Sequence, residues 1–277
     1  MANSISRMSG TGAGAANITS RPGNPALRAA LKVPAITIFF WIVKILTTAM
    51  GESTSDYLVY NIDKYLAVIL GFVGLVVALT LQFLVRRYIP AVYWFAVVMV
   101  AIFGTMAADV MHIVLGVPYQ YSAAFFLVTL AIIFTLWYAT EKTLSIHSIY
   151  TVRREIFYWA AILATFALGT AAGDMTADTL SLGYLASGVL FAVLFLIPGV
   201  LFKLGWLNGI AAFWISYILT RPLGASFADY FGKPIFGGLG LGDAWVSLVL
   251  TVLIVALVGY LSISGKDTPR DDTSRSV

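Results

Sequence analysis

Residues 158–174 read YWAAILATFALGTAAGD, and the same frame returns three more times. The other copies are FWIVKILTTAMGESTSD (40–56), YWFAVVMVAIFGTMAAD (93–109) and FWISYILTRPLGASFAD (213–229). All four align without a gap. Each opens on an aromatic residue followed by Trp (Trp41, Trp94, Trp159, Trp214). Gly follows ten residues after the Trp (Gly51, Gly104, Gly169, Gly224), and Asp fifteen after it (Asp56, Asp109, Asp174, Asp229). A fixed period of this kind marks a duplicated structural unit. In a continuous helix the Trp and the Asp lie about 22 Å apart and about 60° around the axis, so they share a face. Each Gly is followed four residues later by Ser55, Ala108, Gly173 or Ala228. A small-xxx-small pair of this sort predicts close helix contact in lipid.

Working outward, each copy belongs to a pair of apolar segments. Eight such segments lie at about 34–56, 65–85, 91–111, 121–140, 156–176, 183–203, 209–229 and 243–263. Runs of about 20 apolar residues are long enough to span a bilayer. The composition agrees: 60% of the 277 residues are hydrophobic and 11% are charged, with a mean hydropathy of +0.90. A soluble domain carries about 25% charged residues. The expected fold is therefore all-α, with eight transmembrane helices arranged as four helical-hairpin repeats at about 34–87, 90–150, 151–207 and 208–263. A unit with an even number of spans keeps its orientation on duplication. The four repeats should thus be parallel, in a pseudo-fourfold or paired arrangement, and not inverted as in many transporters. Residues 1–33 and 264–277 are polar and read as a disordered leader and tail.

Charge sets the expected orientation. Thirteen bases fall on the side of the termini, from Arg7 to Arg275, against Lys64, Arg221 and Lys233 on the opposite side. The positive-inside rule then places both termini in the cytoplasm of a bacterial inner membrane. The net charge of +4 belongs to these loops and implies no nucleic-acid partner. With no cysteine, disulfides and thiolate metal sites are excluded.

These features resemble a family of bacterial multi-pass membrane proteins built of four tandem two-helix repeats of unknown function with a characteristic tryptophan. The resemblance rests on the four W-x9-G-x4-D copies and on the stretches TTAMGESTSDY (47–57), TEKTLSIHSI (140–149) and FALGTAAGD (166–174). It covers about 34–265 and implies the architecture, with no substrate or reaction attached.

Functional candidates follow from the polar residues that a membrane helix carries at a cost. Four acids at one repeat position are a candidate cation or proton site, since acid rings select cations and intramembrane acids mark pathways. Hairpin capping is the other reading of the same acids. Trp41, Lys44, Thr48 and Glu52 fall at helical spacing on one face of the first repeat. Lys44 occurs in that repeat alone, where the others have Val97, Ile162 and Tyr217. Such a lysine either snorkels to the interface or pairs with an acid of another repeat; Asp109, Asp174 or Asp229 is the expected partner. The Trp residues are either interfacial anchors or a packing ring. Repeat four departs most, with TRPLG placing Arg221 and Pro222 inside a helix. Asp109 and His112 are spaced to meet one metal ion on a helix. Neither a nucleotide loop, a zinc-protease motif nor a nucleophile elbow is present. No cofactor and no enzymatic activity are therefore expected. The expected function is passage of a small solute, foremost a cation (a proton, Na⁺ or a divalent metal), through a site of Lys44, Thr48, Glu52, Asp56, Asp109, Asp174 and Asp229. A non-transporting scaffold or signal-receiving protein is the alternative. The lipid bilayer is the expected partner, and the oligomeric state is left open.

Overall fold

The computed structural model describes residues 31–269 and, among them, eight α-helices and no strand. They are α1 (Ile38–Asn61), α2 (Lys64–Leu84), α3 (Pro90–Asp109), α4 (Tyr119–Glu141), α5 (Val152–Asp174), α6 (Gly183–Lys203), α7 (Gly209–Gly232) and α8 (Asp243–Ser264). Local sequence sets several of their ends. Asp63 caps α2 by accepting from the Tyr65 and Leu66 amides at 3.0 Å. Asn208 accepts from the Ala211 amide at the start of α7, and Pro90 opens α3 where no amide donor is needed. Gly265, with φ 61°, terminates α8. α3 and α5 each run on into one π-helical turn, Val110–Val114 and Met175–Thr179, directly after the repeat aspartate.

Six helices are long and apolar enough to cross a membrane: α2, α3, α4, α5, α6 and α8. α1 and α7 are not among them, because they carry Lys44, Glu52 and Asp56, and Arg221 and Asp229. The reason is positional. The odd-numbered helices α1, α3, α5 and α7 form a closed inner ring, each packed on the next and α7 returning to α1. The charges of α1 and α7 are buried inside it, while the outer helices present exposed Leu, Val, Ile and Phe all along their length. Surfaces of that kind suit lipid.

The outer helices correct the hairpin expectation. α2 leans mainly on α3, α4 on α5, α6 on α7, and α8 on α1. The second helix of each unit thus packs on the first helix of the next, and the fourth unit closes on the first. Both flanks of an inner helix are already occupied by its ring neighbours. An outer helix finds its largest apolar contact by stepping forward.

The ring has two ends. At one, the four aromatic–Trp pairs interlock in a cycle. Phe40 packs on Trp94 (ring centroids 5.8 Å apart), Tyr93 on Trp159 (5.7 Å), Tyr158 on Trp214 (6.2 Å), and Phe213 on Trp41 (5.8 Å). Trp94, Trp159 and Trp214 are buried, so these tryptophans build a packing ring and are not interfacial anchors. The glycines repeat the cycle. A side chain at Gly51 would strike Ala101, at Gly104 Phe166, at Gly169 Arg221, and at Gly224 Thr48. Each contact is with the residue three before the next repeat's Gly, so backbone-close packing holds the whole ring together.

The expected leader and tail reach into this body. Leu31, Lys32, Val33 and Asp267 are buried, whereas residues 1–30 and 270–277 lie outside the described residues. Residues 31–37 cross beneath the Trp end, and the main chain ties them there. The Tyr88 amide donates to Leu31 O (2.9 Å), Lys32 to Ile149 O (3.2 Å) and Ala35 to Asp267 O (2.8 Å). The Lys32 ammonium pairs with the buried Glu155 carboxylate at 2.7 Å, and Gln82 Nε2 donates to the same carboxylate at 3.1 Å. Polarity in sequence suggested disorder, but these polar groups are satisfied by one another.

Candidate functional site

Three levels of polar residues line the inside of the ring. The deepest is Lys44, one turn above the tryptophans. It is fully buried, and its ammonium lies 4.1 Å from the Phe166 ring centroid and 4.3 Å from that of Tyr217. Among the described residues it has no hydrogen-bond partner, and no acid pairs with it. The expected pairing with Asp109, Asp174 or Asp229 is therefore wrong, and so is snorkelling. The repeat acids stand about 18 Å further along the axis. Glu52, the nearer acid, is taken by another base. Two aromatic faces flank the amine instead.

The middle level stands one residue beyond the glycines, at Glu52, Thr105, Thr170 and Ala225. Three of these side chains meet at the axis. The fourth repeat has only a methyl group there, and Arg221 from the preceding turn fills the space. Arg221 Nη2 donates to Glu52 Oε2 at 2.6 Å, to Thr170 Oγ1 at 2.6 Å and to Thr105 Oγ1. Its Nη1 donates to Thr48 O at 3.1 Å. Arg221 and Glu52 are 0% and 1% exposed, so this is a buried ion pair drawn from opposite ends of the chain and flanked by hydroxyls of the other two repeats. α7 continues through Pro222, whose ring, with Arg221, fills the approach to Gly169. The Thr48 hydroxyl, by contrast, donates to the Ile45 and Thr220 carbonyls, and faces the wall between α1 and α7.

The outermost level is a cavity of about 130 Å³. Asp56, Asp109 and Asp174 line it, with Glu52 one turn deeper. Lys233, the first residue after α7, reaches in between repeats one and four. Its ammonium lies 2.7 Å from Asp56 Oδ2 and 2.8 Å from Asp229 Oδ1. Burial works against its charged form, but the carboxylates of Asp229, Asp56, Asp174 and Glu52 outweigh it and hold Lys233 well above the usual lysine range. Carboxylate oxygens of Glu52, Asp56 and Asp229 lie within 4.8 Å of one another, close enough to share one metal ion. Tyr60, Tyr119, Tyr184 and Phe236 supply aromatic walls.

Of the residues expected from sequence, Glu52, Asp56, Asp109 and Asp174 line one cavity, and Asp229 joins it through Lys233. Lys44 and Thr48 do not reach it. His112 Nδ1 is 2.9 Å from Val117 O, and its ring stacks on Tyr119 at 3.6 Å; the carboxylates close enough to share an ion are those of Glu52, Asp56 and Asp229. Sequence reading missed Thr105, Thr170 and Lys233, and it left Arg221 without a partner. The repeat alignment carried a signal for the two threonines, since both occupy the Glu52 position.

The chain belongs to the family described as Repeat of Unknown Function (DUF347), whose profile matches it four times, at residues 39–88, 92–143, 157–204 and 212–267. The four matches coincide with the four units of the ring. No curated protein and no solved structure matches the chain.

Proposed function

From that membership and this geometry, we propose that the chain is a carrier of a small cation in the bacterial inner membrane. All eight helices cross the bilayer, both termini are cytoplasmic, and the acid cavity faces outward. The cargo is a proton, Na⁺, a divalent metal or another small cation, and no chemistry is performed on it. One observation carries the reading. Asp56, Asp109 and Asp174, from one position of the repeat, line a single cavity, and beside it Glu52, Asp56 and Asp229 bring carboxylate oxygens within 4.8 Å of one another. Clustered carboxylates are costly unless a cation offsets them. The orientation is supported by the thirteen bases on the side of the termini.

A carrier fits better than an open channel. Below the cavity the axis is filled by the Arg221–Glu52 pair, then by the Lys44 side chain, then by the interlocked aromatic ring. Close packing along the axis opposes free passage of a cation. Access from the other side requires the Arg221–Glu52 closure to open. The alternative, a non-transporting scaffold, draws on the same dense packing of the Trp end. Flux into proteoliposomes, measured over a panel of cations, separates the two. Asp109→Asn and Asp174→Asn should each abolish the flux with folding intact, since neither acid is in an ion pair among the described residues. No flux of any cation in the unmodified chain would favour the scaffold, and wild-type flux in both variants would remove the acid cavity from the route.

A further inference from the structure

Lys233 is more than a counter-charge, because it shows what kind of cation the cavity accommodates. Repeats one and four are neighbours in the ring, and their Asp56 and Asp229 grip its ammonium at 2.7 and 2.8 Å. The other neighbouring pair is Asp109 and Asp174 of repeats two and three, which faces the same cavity. Among the described residues neither of these two acids takes part in an ion pair. The residues at the Lys233 position in the other repeats, four after each Asp, are Tyr60, Ile113 and Asp178. All three line the cavity and none can donate an ammonium. One half of the cavity thus holds an amine, and the other presents the repeat acids Asp109 and Asp174 without one.

The walls repeat the same logic. The Tyr184 ring lies 5.8 Å from the Lys233 ammonium. Tyr119 stands in the same relation to Asp109 as Tyr184 does to Asp174, ten residues on, and it lines the cavity too. Carboxylates that accept N–H bonds, next to aromatic faces that attract a cation, suit an organic ammonium.

We propose that the cavity binds a primary alkylammonium compound at Asp109 and Asp174, with Lys233 as the chain's own copy of that ligand at Asp56 and Asp229. This rests on the cation reading of the same cavity and narrows it to a substrate class. Lys233 also sets the capacity: it leaves room for one ligand where the acids could pair with two.

The test is equilibrium binding of methylammonium to the purified full chain in detergent. The unmodified chain should bind one equivalent. Asp109→Asn and Asp174→Asn should each weaken binding at least about tenfold. Lys233→Met should raise the number bound to two. Tetramethylammonium, which has no N–H to donate, should not compete. Should Lys233→Met fail to fold, the two Asn variants decide alone. The proposal is overturned if they leave methylammonium binding unchanged, or if tetramethylammonium competes equally well. It also falls if Na⁺ or Mn²⁺ binds at these acids and methylammonium does not, an outcome that leaves the cation carrier standing. Binding of no cation at all removes both.

Discussion

The two ends of the inner ring are built from the same four helices, yet they solve opposite problems. At the Trp end the repeats are chemically alike. Each aromatic pair satisfies the next, the Tyr93 and Tyr158 hydroxyls share a 2.5 Å hydrogen bond, and the result is symmetric and closed. At the Asp end four like acids cannot pack symmetrically, because they repel. There the symmetry breaks: repeat four contributes Arg221 and Lys233, repeat one contributes Glu52, and repeats two and three widen into π-helical turns after their aspartates. Such turns often accompany functional sites. Apolar packing tolerates repetition, whereas charge forces the copies to diverge. The divergent end is where a ligand can be held.

The largest effect should come from breaking the asymmetric closure. Arg221→Met leaves Glu52 buried and unpaired, which costs about 3–5 kcal/mol. Denaturant or thermal unfolding in detergent would read that loss. The double variant Arg221→Met with Glu52→Leu should recover most of it, because apolar replacement of a whole buried pair is often neutral. Unchanged stability in the single variant would mean that the closure carries no weight.

A smaller effect is expected where the symmetric packing is closest. Gly169→Leu drives a side chain into Arg221 and Pro222 and should destabilise by about 1–3 kcal/mol. Gly199→Leu, on the outer helix α6 with nothing within 4 Å among the described residues, should stay within about 0.5 kcal/mol of the unmodified chain. Equal effects at the two positions would contradict the ring contact at Gly169.

The smallest expected change tests the closed end itself. Tyr93→Phe removes one buried hydrogen bond, worth about 1 kcal/mol, and should leave cation binding at the far cavity untouched. A change in cation affinity would show that the two ends are coupled and would blur the division drawn between them.

Much of this was legible in the chain. The W-x9-G-x4-D register identified four related helices, their parallel direction, the tight glycine contacts and the gathering of the acids, because helical periodicity fixes which residues share a face and duplication fixes that the faces recur. Glu52 and the four aspartates were marked as candidates on the cost of charge in an apolar helix alone. Partners were another matter. Lys44 found two aromatic rings and not an acid, and Glu52 found Arg221 from a position 169 residues away. The forward step of each outer helix, the burial of Lys32 and Asp267, and the entry of Lys233 between Asp56 and Asp229 were likewise set only in three dimensions. Periodicity along one chain determines what a helix presents. Which group meets it depends on how the helices close on one another, and there the nearest satisfied geometry, not sequence proximity, selects the pair.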